Sequence, residues 1–498
     1  MTLYTEGNIS RYYAETLVLL FFPGSKFPED KSGGEPIVSM SVREDNGQFI
    51  GSVTVKDGKR EVSASYIPSA ATKSRVSREM LIKLAAGGAM LKAGADFCGT
   101  VPPWGMITGV RPAKLCLDMF ENGFSSDEAL IHFTEDFLCS REKASLAVKT
   151  AEREYPFVSD KRRRECSVYI AIPFCPTRCN YCSFVSFSSP KLLSLIPSYL
   201  KRLLEDIKST FSVIRSLGIR IATVYVGGGT PTTLDESQLE LLLSAINTEI
   251  DVSSLDEFTV EAGRPDTITP EKIAVLAKYG VTRVSVNAQT LNDDILRSIG
   301  RKHTAEQFMV AYDHAKNSNI RDINVDLIAG LTGEPYSSFL NSVNKIISLD
   351  PTNITVHTFY VKRAADAVKN ADIFRREDEN TVLAVDLAQK ALLSAEYVPY
   401  YLYKQKNTAA NLENAGFTKI GHECLYNIFM MEEIHTVFGI GASGMTKLVS
   451  PDPDNMKIER ICETKYPYEY LDSDKNTAEK RYRELKLVTE RFYNKYFK

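Results

Sequence analysis

The sequence lacks the features that would place the protein in a membrane, on a nucleic acid or outside the cell. Its longest apolar runs fall well short of the roughly 20 residues that a membrane-spanning helix needs, and no secretory signal is visible. Basic and acidic residues nearly balance, 60 against 63, so no general attraction to an anionic polymer is expected. Nine cysteines, an odd number, argue against a disulfide framework. We therefore expect a cytoplasmic globular protein with neither a nucleic acid nor a membrane as its partner.

Three of the cysteines do form a pattern, because Cys175, Cys179 and Cys182 follow one predicted strand with the spacing Cys-x3-Cys-x2-Cys. Soft thiolate ligands suit zinc or an iron–sulfur cluster. A closed zinc site or an electron-transfer cluster needs four protein ligands, yet no fourth cysteine lies within a turn of this loop. Cys166 stands at the far end of the strand, several residues' length away. The pattern therefore favours a [4Fe–4S] cluster with one open iron over a zinc site completed by a distant histidine, or over three ordinary buried cysteines.

Residues 1–160 read as a separate α+β domain, whose role the sequence does not give. Asn46-Gly47 and Asp57-Gly58 separate alternating apolar runs, which is typical of an antiparallel meander with tight turns. The other elements predicted in this domain are a strand at 12–22 and helices at 77–92 and 126–154.

Residues 161–360 alternate between strand and helix patterns six times. The predicted strands are Val168–Ile172, Thr223–Val226, Glu257–Glu261, Arg283–Val286, Asn324–Ile328 and Asn353–Thr358. Consecutive βα units form a parallel sheet, and six of them predict an incomplete (βα)6 TIM-like barrel. In such barrels the active site lies at the carboxyl ends of the strands. Residues 361–498 are predicted to be a C-terminal α/β region that completes the substrate site.

Polar and glycine-rich motifs follow the predicted strands. Gly227-Gly-Gly-Thr-Pro-Thr232 comes after the second strand and would expose backbone groups to a ligand. Glu261, Gln289 and Asp326 come at the ends of the next three strands. Each alone could be a capped or salt-bridged structural residue, but three polar residues on one rim favour a ligand site.

Three other features allow a structural interpretation beside a functional one. The loop around Trp104 is interpreted as a packed corner rather than a contact to a catalytic domain. The basic run 161–164 is interpreted as a solvated linker rather than a site for substrate carboxylates. The run 400–406, rich in Tyr and Lys, fits equally well beside a flat, carboxylate-bearing macrocycle or in a strand with its lysines in solvent.

The cysteine spacing after a strand resembles that of the radical S-adenosylmethionine enzymes. The motifs of residues 166–360 resemble, more narrowly, the oxygen-independent coproporphyrinogen III oxidases. The C-terminal runs 399–407, 425–433 and 439–442, with the Trp-Gly and Gly-Val-Arg-Pro loop of the first domain, are similar to the HemZ-type branch. The resemblance implies a [4Fe–4S] cluster on Cys175, Cys179 and Cys182, with S-adenosylmethionine on the open iron. The residues it implies for S-adenosylmethionine are Tyr169, Tyr181, Gly228, Gly229, Thr230, Glu261, Gln289, Arg301, Asp326 and, more loosely, Tyr360.

The resemblance also implies an activity. A 5′-deoxyadenosyl radical would remove hydrogen from propionate side chains of coproporphyrinogen III, which would lose carbon dioxide and become the vinyl groups of protoporphyrinogen IX. A reduced electron donor such as flavodoxin or ferredoxin would be a partner, and no catalytic side chain is identified.

Two departures from that family stand out, and a sister branch supplies an alternative. Phe184 replaces a cysteine of the best-known branch, and the domain 1–160 replaces a short tail. The sister branch consists of haem chaperones with a His-Asn-x-x-Tyr-Trp stretch, where this chain has Tyr426-Asn-Ile-Phe-Met-Met431. His422, His435 and Cys424 lie nearby, so haem carriage is the alternative function.

Overall fold

The computed structural model describes residues 1–29, 32–182, 186–359, 378–404, 412–472 and 477–497. The chain forms two compact units, one from Met1–Tyr155 with Leu402–Asn414 and the other from Pro156–Tyr401 with Ala415–Lys498. The predicted boundaries at 160 and 360 stay predictions. In the ranges described, no helix combines the length and the apolar character that crossing a membrane requires.

The first unit contains a four-stranded sheet. Its strands are β1 (Thr2–Glu6), β2 (Ile37–Asp45), β3 (Gln48–Asp57) and β4 (Arg60–Tyr66). The three strands β2, β3 and β4 form the predicted antiparallel meander, and β1 joins β2 in parallel. Asn46 and Gly47 turn the chain with φ of 47° and 71°, in the left-handed region that these residue types tolerate.

Helices cover this sheet and fill the rest of the unit. They are α1 (Arg11–Val18), α2 (Ala70–Arg75), α3 (Arg78–Cys98), α4 (Pro112–Glu121), α5 (Ser126–Ile131) and α6 (Arg141–Glu154), with a π-helical turn at His132–Asp136. The strand predicted at 12–22 is wrong, because α1 occupies its first half. Ala14, Leu17 and Val18 recur at helical spacing and are fully buried, so the segment follows the 3.6-residue period.

The single helix predicted at 126–154 is also wrong, since the structure divides it. Leu138 adopts a positive φ of 57°, which ends the first segment. The Ser140 side chain then accepts a hydrogen bond from the Lys143 amide and begins α6. A serine at this position is a recognisable helix start, and it lies inside what the sequence pattern reads as one helix.

A buried ionic cluster surrounds Trp104 within the first unit. The indole nitrogen donates to Glu413 Oε2 at 2.7 Å, and Lys143 Nζ donates to Glu413 Oε1 at 2.7 Å. Trp104 is 1% exposed, as a packed corner requires. Lys404 donates to the Ile107 carbonyl at 2.7 Å, and burial lowers its pKa to about 8. The interpretation that placed this lysine in solvent is therefore wrong.

The second unit is organised on a mainly parallel sheet. Its first six strands are β5 (Cys166–Ile172), β6 (Ile221–Gly228), β7 (Glu257–Glu261), β8 (Arg283–Ser285), β9 (Asp322–Ala329) and β10 (Asn353–Thr358). Each is parallel to the next, and all six match their predictions to within two residues. The incomplete (βα)6 TIM-like barrel is therefore confirmed.

Other strands extend both edges of this sheet. They are β11 (Val398–Lys404), β12 (Glu413–Thr418), β13 (Thr436–Ile440), β14 (Met445–Val449) and β15 (Ile458–Cys462). The order is β11-β12-β10-β9-β8-β7-β6-β5-β13-β14-β15, so β13 pairs with β5 and β12 pairs with β10. Because these partners occupy the edges of β5 and β10, the two strands do not pair with each other and the barrel stays open.

The helices of the second unit lie mostly between its strands. They are α7 (Asp160–Arg163), α8 (Pro190–Leu193), α9 (Ile196–Ser216), α10 (Glu236–Glu249), α11 (Pro270–Lys278), α12 (Asp293–Ser298), α13 (Ala305–Lys316), α14 (Tyr336–Leu349), α15 (Asp378–Ser394), α16 (Leu425–Met431), α17 (Pro467–Tyr470) and α18 (Ala478–Tyr496). Apolar residues of one strand face, among them Val168, Val224 and Leu327, are fully buried. The opposite face carries polar side chains almost throughout, because successive strand residues point to alternate faces.

The amino ends of the strands are closed by paired charges. Arg283 is 1% exposed and bonds Asp322 at 3.2 Å, with Glu257 at 3.5 Å and the carbonyl of His422 at 2.9 Å. Nearby, the basic run 161–164 is not a solvated linker. Arg162 pairs with Glu165 and Asp256, and Arg163 is buried. The run lies before β5, a full strand away from the cysteines, which removes the basis for a substrate site there.

The buried cluster around Trp104 generates a stability prediction. Glu413→Gln would leave Lys143 buried without its carboxylate partner, and removal of one member of a buried pair costs roughly 3–5 kcal/mol. The unfolding midpoint in denaturant, followed by the fluorescence of the only tryptophan, should fall accordingly. The matched control is Glu459→Gln, which breaks an exposed pair with Arg491 and should cost about 0–1 kcal/mol. Equal shifts in the two variants would contradict the assignment.

Candidate active site

The cysteine loop and the glycine turn are joined by backbone hydrogen bonds at the carboxyl ends of β5 and β6. Gly229 N donates to Ile172 O at 2.8 Å, and Thr230 N donates to Phe174 O at 2.7 Å. A Cβ on Gly229 would stand 2.5 Å from the Phe174 carbonyl oxygen, and Gly228 adopts φ of 108°. Only glycine permits this approach, so the turn fixes the start of the cysteine loop.

The three thiols lie in one partly buried environment. Cys175 and Cys179 are 9% and 8% exposed, and Cys182 is more open. Cys175 Sγ lies 3.3 Å from Thr230 Oγ1, and burial raises the pKa of this thiol. In the described part of the chain, no three His, Cys, Asp or Glu side chains converge on a point at single-ion distances. A cubane cluster imposes a different requirement, since each thiolate binds a separate iron.

Glu261 lies at the end of β7 against the glycine turn. Tyr225 Oη donates to its Oε1 at 2.6 Å, and a Cβ on Gly227 would come within 3.0 Å of its Cδ. Burial raises the pKa of Glu261 to about 7 despite the bond from Tyr225, and the charge of Asp326 adds to the rise. Near neutral pH this carboxyl can therefore either donate or accept a hydrogen bond.

Three tyrosine rings stack on the polar face beside Glu261. The centroids of Tyr225 and Tyr426 are 4.4 Å apart, and Tyr169 lies 6.0 Å from Tyr225 and 6.2 Å from Tyr426. Tyr426 comes from the beginning of α16 and is 7% exposed. Sequence reasoning named Tyr169 but missed Tyr225, although its position two residues before the glycine turn put it on the same face as Gly227.

Asp326 lies on β9, three residues before the strand ends. Asn324 donates to its Oδ1 at 2.7 Å, and His357 Nε2 is 3.8 Å from Oδ2. Burial acts to raise the pKa of Asp326, but His357 and Asn324 outweigh it and keep the pKa below its ordinary value. The two carboxyls of this rim therefore differ, with Asp326 ionised and Glu261 close to half protonated at neutral pH.

Gln289 and Arg301 complete the rim between β8 and the cysteine loop. Gln289 follows β8 by four residues with a positive φ of 66°, and its buried Oε1 has no hydrogen-bond partner among the described residues. A strained residue with an orphaned acceptor fits a site that binds a ligand. Arg301 donates to the carbonyls of Gly263 and Asn287 and to Tyr181 Oη at 3.3 Å.

The predicted site residues are therefore brought together, with one exception. The cysteines, the glycine turn, Glu261, Gln289, Arg301 and Asp326 all lie at the carboxyl ends of β5 to β9. Tyr360 lies outside the described residues, as do Phe184 and the end of the run 400–406. The orphaned Gln289 acceptor, the half-exposed carboxyls and the grouped soft thiols fit a cluster with an adenosyl ligand.

Arg264 is the main residue that sequence reasoning missed. It follows β7 by three residues, and its Nη1 lies 3.6 Å from Cys179 Sγ and 3.2 Å from Thr177 O. The signal that could have found it is a basic residue directly after a strand that ends in a site carboxylate, since this loop lies on the rim of the barrel.

The chain is similar to several known proteins. Residues 169–346 match the radical SAM superfamily. The oxygen-independent coproporphyrinogen-III oxidase-like protein HemZ of Bacillus subtilis is 36% identical over 399 residues, 79% of each chain. The heme chaperone HemW of the same organism is 31% identical over 318 residues, 61% of this chain and 77% of that one. Among solved structures, the coproporphyrinogen III oxidase HemN of Escherichia coli, a radical SAM enzyme, aligns with a TM-score of 0.46 and 18% identity over 63% of this chain and 75% of that one.

An open parallel barrel with three cysteines after its first strand, together with the match to the superfamily and the similarity to HemZ, defines a radical SAM protein. The cofactors of that superfamily, a [4Fe–4S] cluster and S-adenosylmethionine, are therefore those of this chain. Within the superfamily, the chain belongs to the family of oxygen-independent coproporphyrinogen-III oxidase-like proteins that includes HemZ.

The grouping of the thiols predicts which cysteines hold iron. Changing Cys175, Cys179 or Cys182 to Ala should each abolish the brown chromophore and most of the iron after anaerobic reconstitution, because the protein supplies only three ligands. Cys166→Ala and Cys462→Ala, which alter a buried and an exposed thiol elsewhere, should keep both. Four irons per chain in Cys179→Ala, or tight zinc without iron in the wild type, would overturn this assignment.

The raised pKa of Glu261 predicts a pH dependence of stability in the cofactor-free protein. The folded state keeps the proton up to pH of about 7, whereas the unfolded state releases it near the ordinary value of 4.5. Folding therefore takes up a proton between these values, and this contribution to stability is lost as pH rises through them, by less than about 1.4 kcal/mol per pH unit.

The measurement is the thermal midpoint between pH 4.5 and 8 for the wild type and for Glu261→Gln, which cannot titrate. The wild type should lose stability relative to the variant as pH rises. Parallel pH profiles would show that Glu261 does not titrate in this window.

Proposed function

We propose that this chain catalyses the oxygen-independent oxidative decarboxylation of coproporphyrinogen III, converting two propionates into vinyl groups to give protoporphyrinogen IX. The observation that carries the proposal is the 36% identity, over 79% of both chains, to an oxygen-independent coproporphyrinogen-III oxidase-like protein. The chain's own site supports it, since the thiols and the polar rim are assembled at the strand ends where radical chemistry needs them.

Cys175, Cys179 and Cys182 would hold the cluster. The residues that would hold S-adenosylmethionine are Tyr169, Tyr181, Gly228, Gly229, Thr230, Glu261, Gln289, Arg301, Asp326 and Tyr360. When bound, the two cofactors supply a 5′-deoxyadenosyl radical that removes hydrogen from the propionate carbon next to the ring. Loss of carbon dioxide and of one electron to an acceptor then leaves the vinyl group. A reduced flavodoxin or ferredoxin is the proposed electron donor.

The side chains of the rim orient the adenosyl ligand. Asp326 stays ionised and accepts hydrogen bonds from hydroxyl groups, while Glu261 can accept or donate because its pKa is about 7. The Gln289 acceptor and the partly exposed backbone of the glycine turn suit the amino groups of such a ligand.

Haem carriage is the second candidate, because the HemW chaperone is also similar to this chain. The position of the sister branch's histidine is occupied here by Tyr426, which is buried and stacked on Tyr225. His435 is fully buried and bonds Ser167 at 2.8 Å and the Arg162 carbonyl at 2.9 Å. These contacts support an enzyme over a carrier.

The other two candidate haem ligands are engaged as well. His422 bonds Asp322 at 2.5 Å, and the Cys424 thiol donates to Glu257 at 3.3 Å. Glu257 begins β7 and Asp322 begins β9. His422 and Cys424 therefore lie at the amino ends of these strands, away from the cysteine loop. A haem iron needs an accessible axial ligand.

The deciding experiment uses the anaerobically reconstituted protein with S-adenosylmethionine, coproporphyrinogen III, a chemical reductant and a one-electron acceptor. We expect the porphyrinogen to stimulate release of 5′-deoxyadenosine, with protoporphyrinogen as product, and we expect little stable haem binding. Tyr426→His restores the sister branch's residue and is the matched variant for the haem assay. Stoichiometric haem capture by the wild type, lost in His422→Ala, together with cofactor cleavage indifferent to the porphyrinogen, would establish the carrier instead.

A further inference from the structure

Arg264 lies in the loop after β7, and its buried guanidinium donates hydrogen bonds to the cysteine loop. It is 3% exposed. Nη2 donates to Thr177 Oγ1 at 2.7 Å, and Nη1 donates to Thr177 O at 3.2 Å and to Cys179 Sγ at 3.6 Å. Nε and Nη2 also donate to the Asp266 carboxylate at 3.1 and 3.3 Å. One side chain thereby joins the β7 loop, the middle of the cysteine loop and a proposed ligand sulfur.

The charges around Cys179 are predominantly positive. Arg301 is the second buried guanidinium here, and its charge interacts with Cys179. Asp266 is the carboxylate that faces Arg264, and it already accepts two hydrogen bonds from it. His303 is neutral, because burial first and then Arg301 lower its pKa to about 3. Two cations therefore face Cys179 with one neutralising carboxylate in contact.

Burying a guanidinium is costly unless its charge is compensated. A [4Fe–4S] cluster on three thiolates is net negative, and it becomes more negative when it gains an electron. Hydrogen bonds to the sulfurs and nearby charge set the reduction potential of such clusters. Positive charge at Cys179 would stabilise the reduced form.

We infer that Arg264 is a positioning residue that holds the cysteine loop through Thr177 and raises the reduction potential of the cluster through its contact with Cys179. This inference rests on the proposed cluster site. It assigns to Arg264 a role in making the cluster reducible by a low-potential one-electron carrier.

The test is a redox titration of the reconstituted cluster in wild type, Arg264→Gln and Arg264→Lys, with iron content measured in each. In Arg264→Gln the equilibrium constant for one-electron reduction should fall at least tenfold, a potential about 59 mV lower. Arg264→Lys keeps the charge but loses the planar side chain and several of its hydrogen bonds. In this variant the equilibrium constant for one-electron reduction should fall by at least threefold. The matched control is Arg178→Gln, which removes an exposed charge one residue from Cys179 and should change the constant less than threefold.

The outcomes separate this inference from the proposed function. A wild type that takes up no iron would defeat the cluster assignment itself. A full cluster in Arg264→Gln with a potential equal to that of the wild type would overturn the inference alone. If Arg264→Gln takes up no cluster, Arg264→Lys decides, with a lowered potential supporting the inference and an unchanged one refuting it.

Discussion

The close backbone contact between the glycine turn and the cysteine loop is the constraint on which the site depends. Parallel pairing of β5 with β6 ends at Ile172 and Gly228, and the amides of Gly229 and Thr230 continue it into the loop. A side chain at Gly229 would collide with the Phe174 carbonyl. Because the two segments are bonded at this point, Cys175 and Thr230 come into contact and the thiols acquire a fixed place relative to the strand ends.

The polar face of the second unit changes character along its strands. At the amino ends it is a closed layer of ion pairs around Arg283, which is itself fully buried. At the carboxyl ends Glu261 and Asp326 are partly exposed, and they acquire opposite pKa shifts. The two carboxyls differ in protonation because burial and the charge of Asp326 raise the pKa of Glu261, whereas hydrogen bonds from partners that include His357 and Asn324 outweigh burial at Asp326. Such a pair of carboxyls can form hydrogen bonds with a ligand that carries both donors and acceptors.

The aromatic stack joins two strands of the barrel to a helix that is distant in the sequence. Tyr169 and Tyr225 belong to the strands, whereas Tyr426 enters from α16. Tyr426 is buried in this stack and is therefore part of the barrel wall beside Glu261.

The sequence by itself determined the six parallel strands, the hairpins of the first unit and the cysteine loop, because these depend on local patterns. Alternating apolar and polar residues, Asn-Gly turns and clustered cysteines can each be recognised within a few residues of sequence. The predictions were wrong at Arg11–Val18, where the helical period was taken for a strand, and at Leu138, where a short interruption divides the predicted helix. Only the tertiary structure placed Arg264 against Cys179, buried Lys404 and separated the protonation of Glu261 from that of Asp326. These properties arise from burial and from neighbours that are distant in the sequence, and neither can be predicted from the residue types alone.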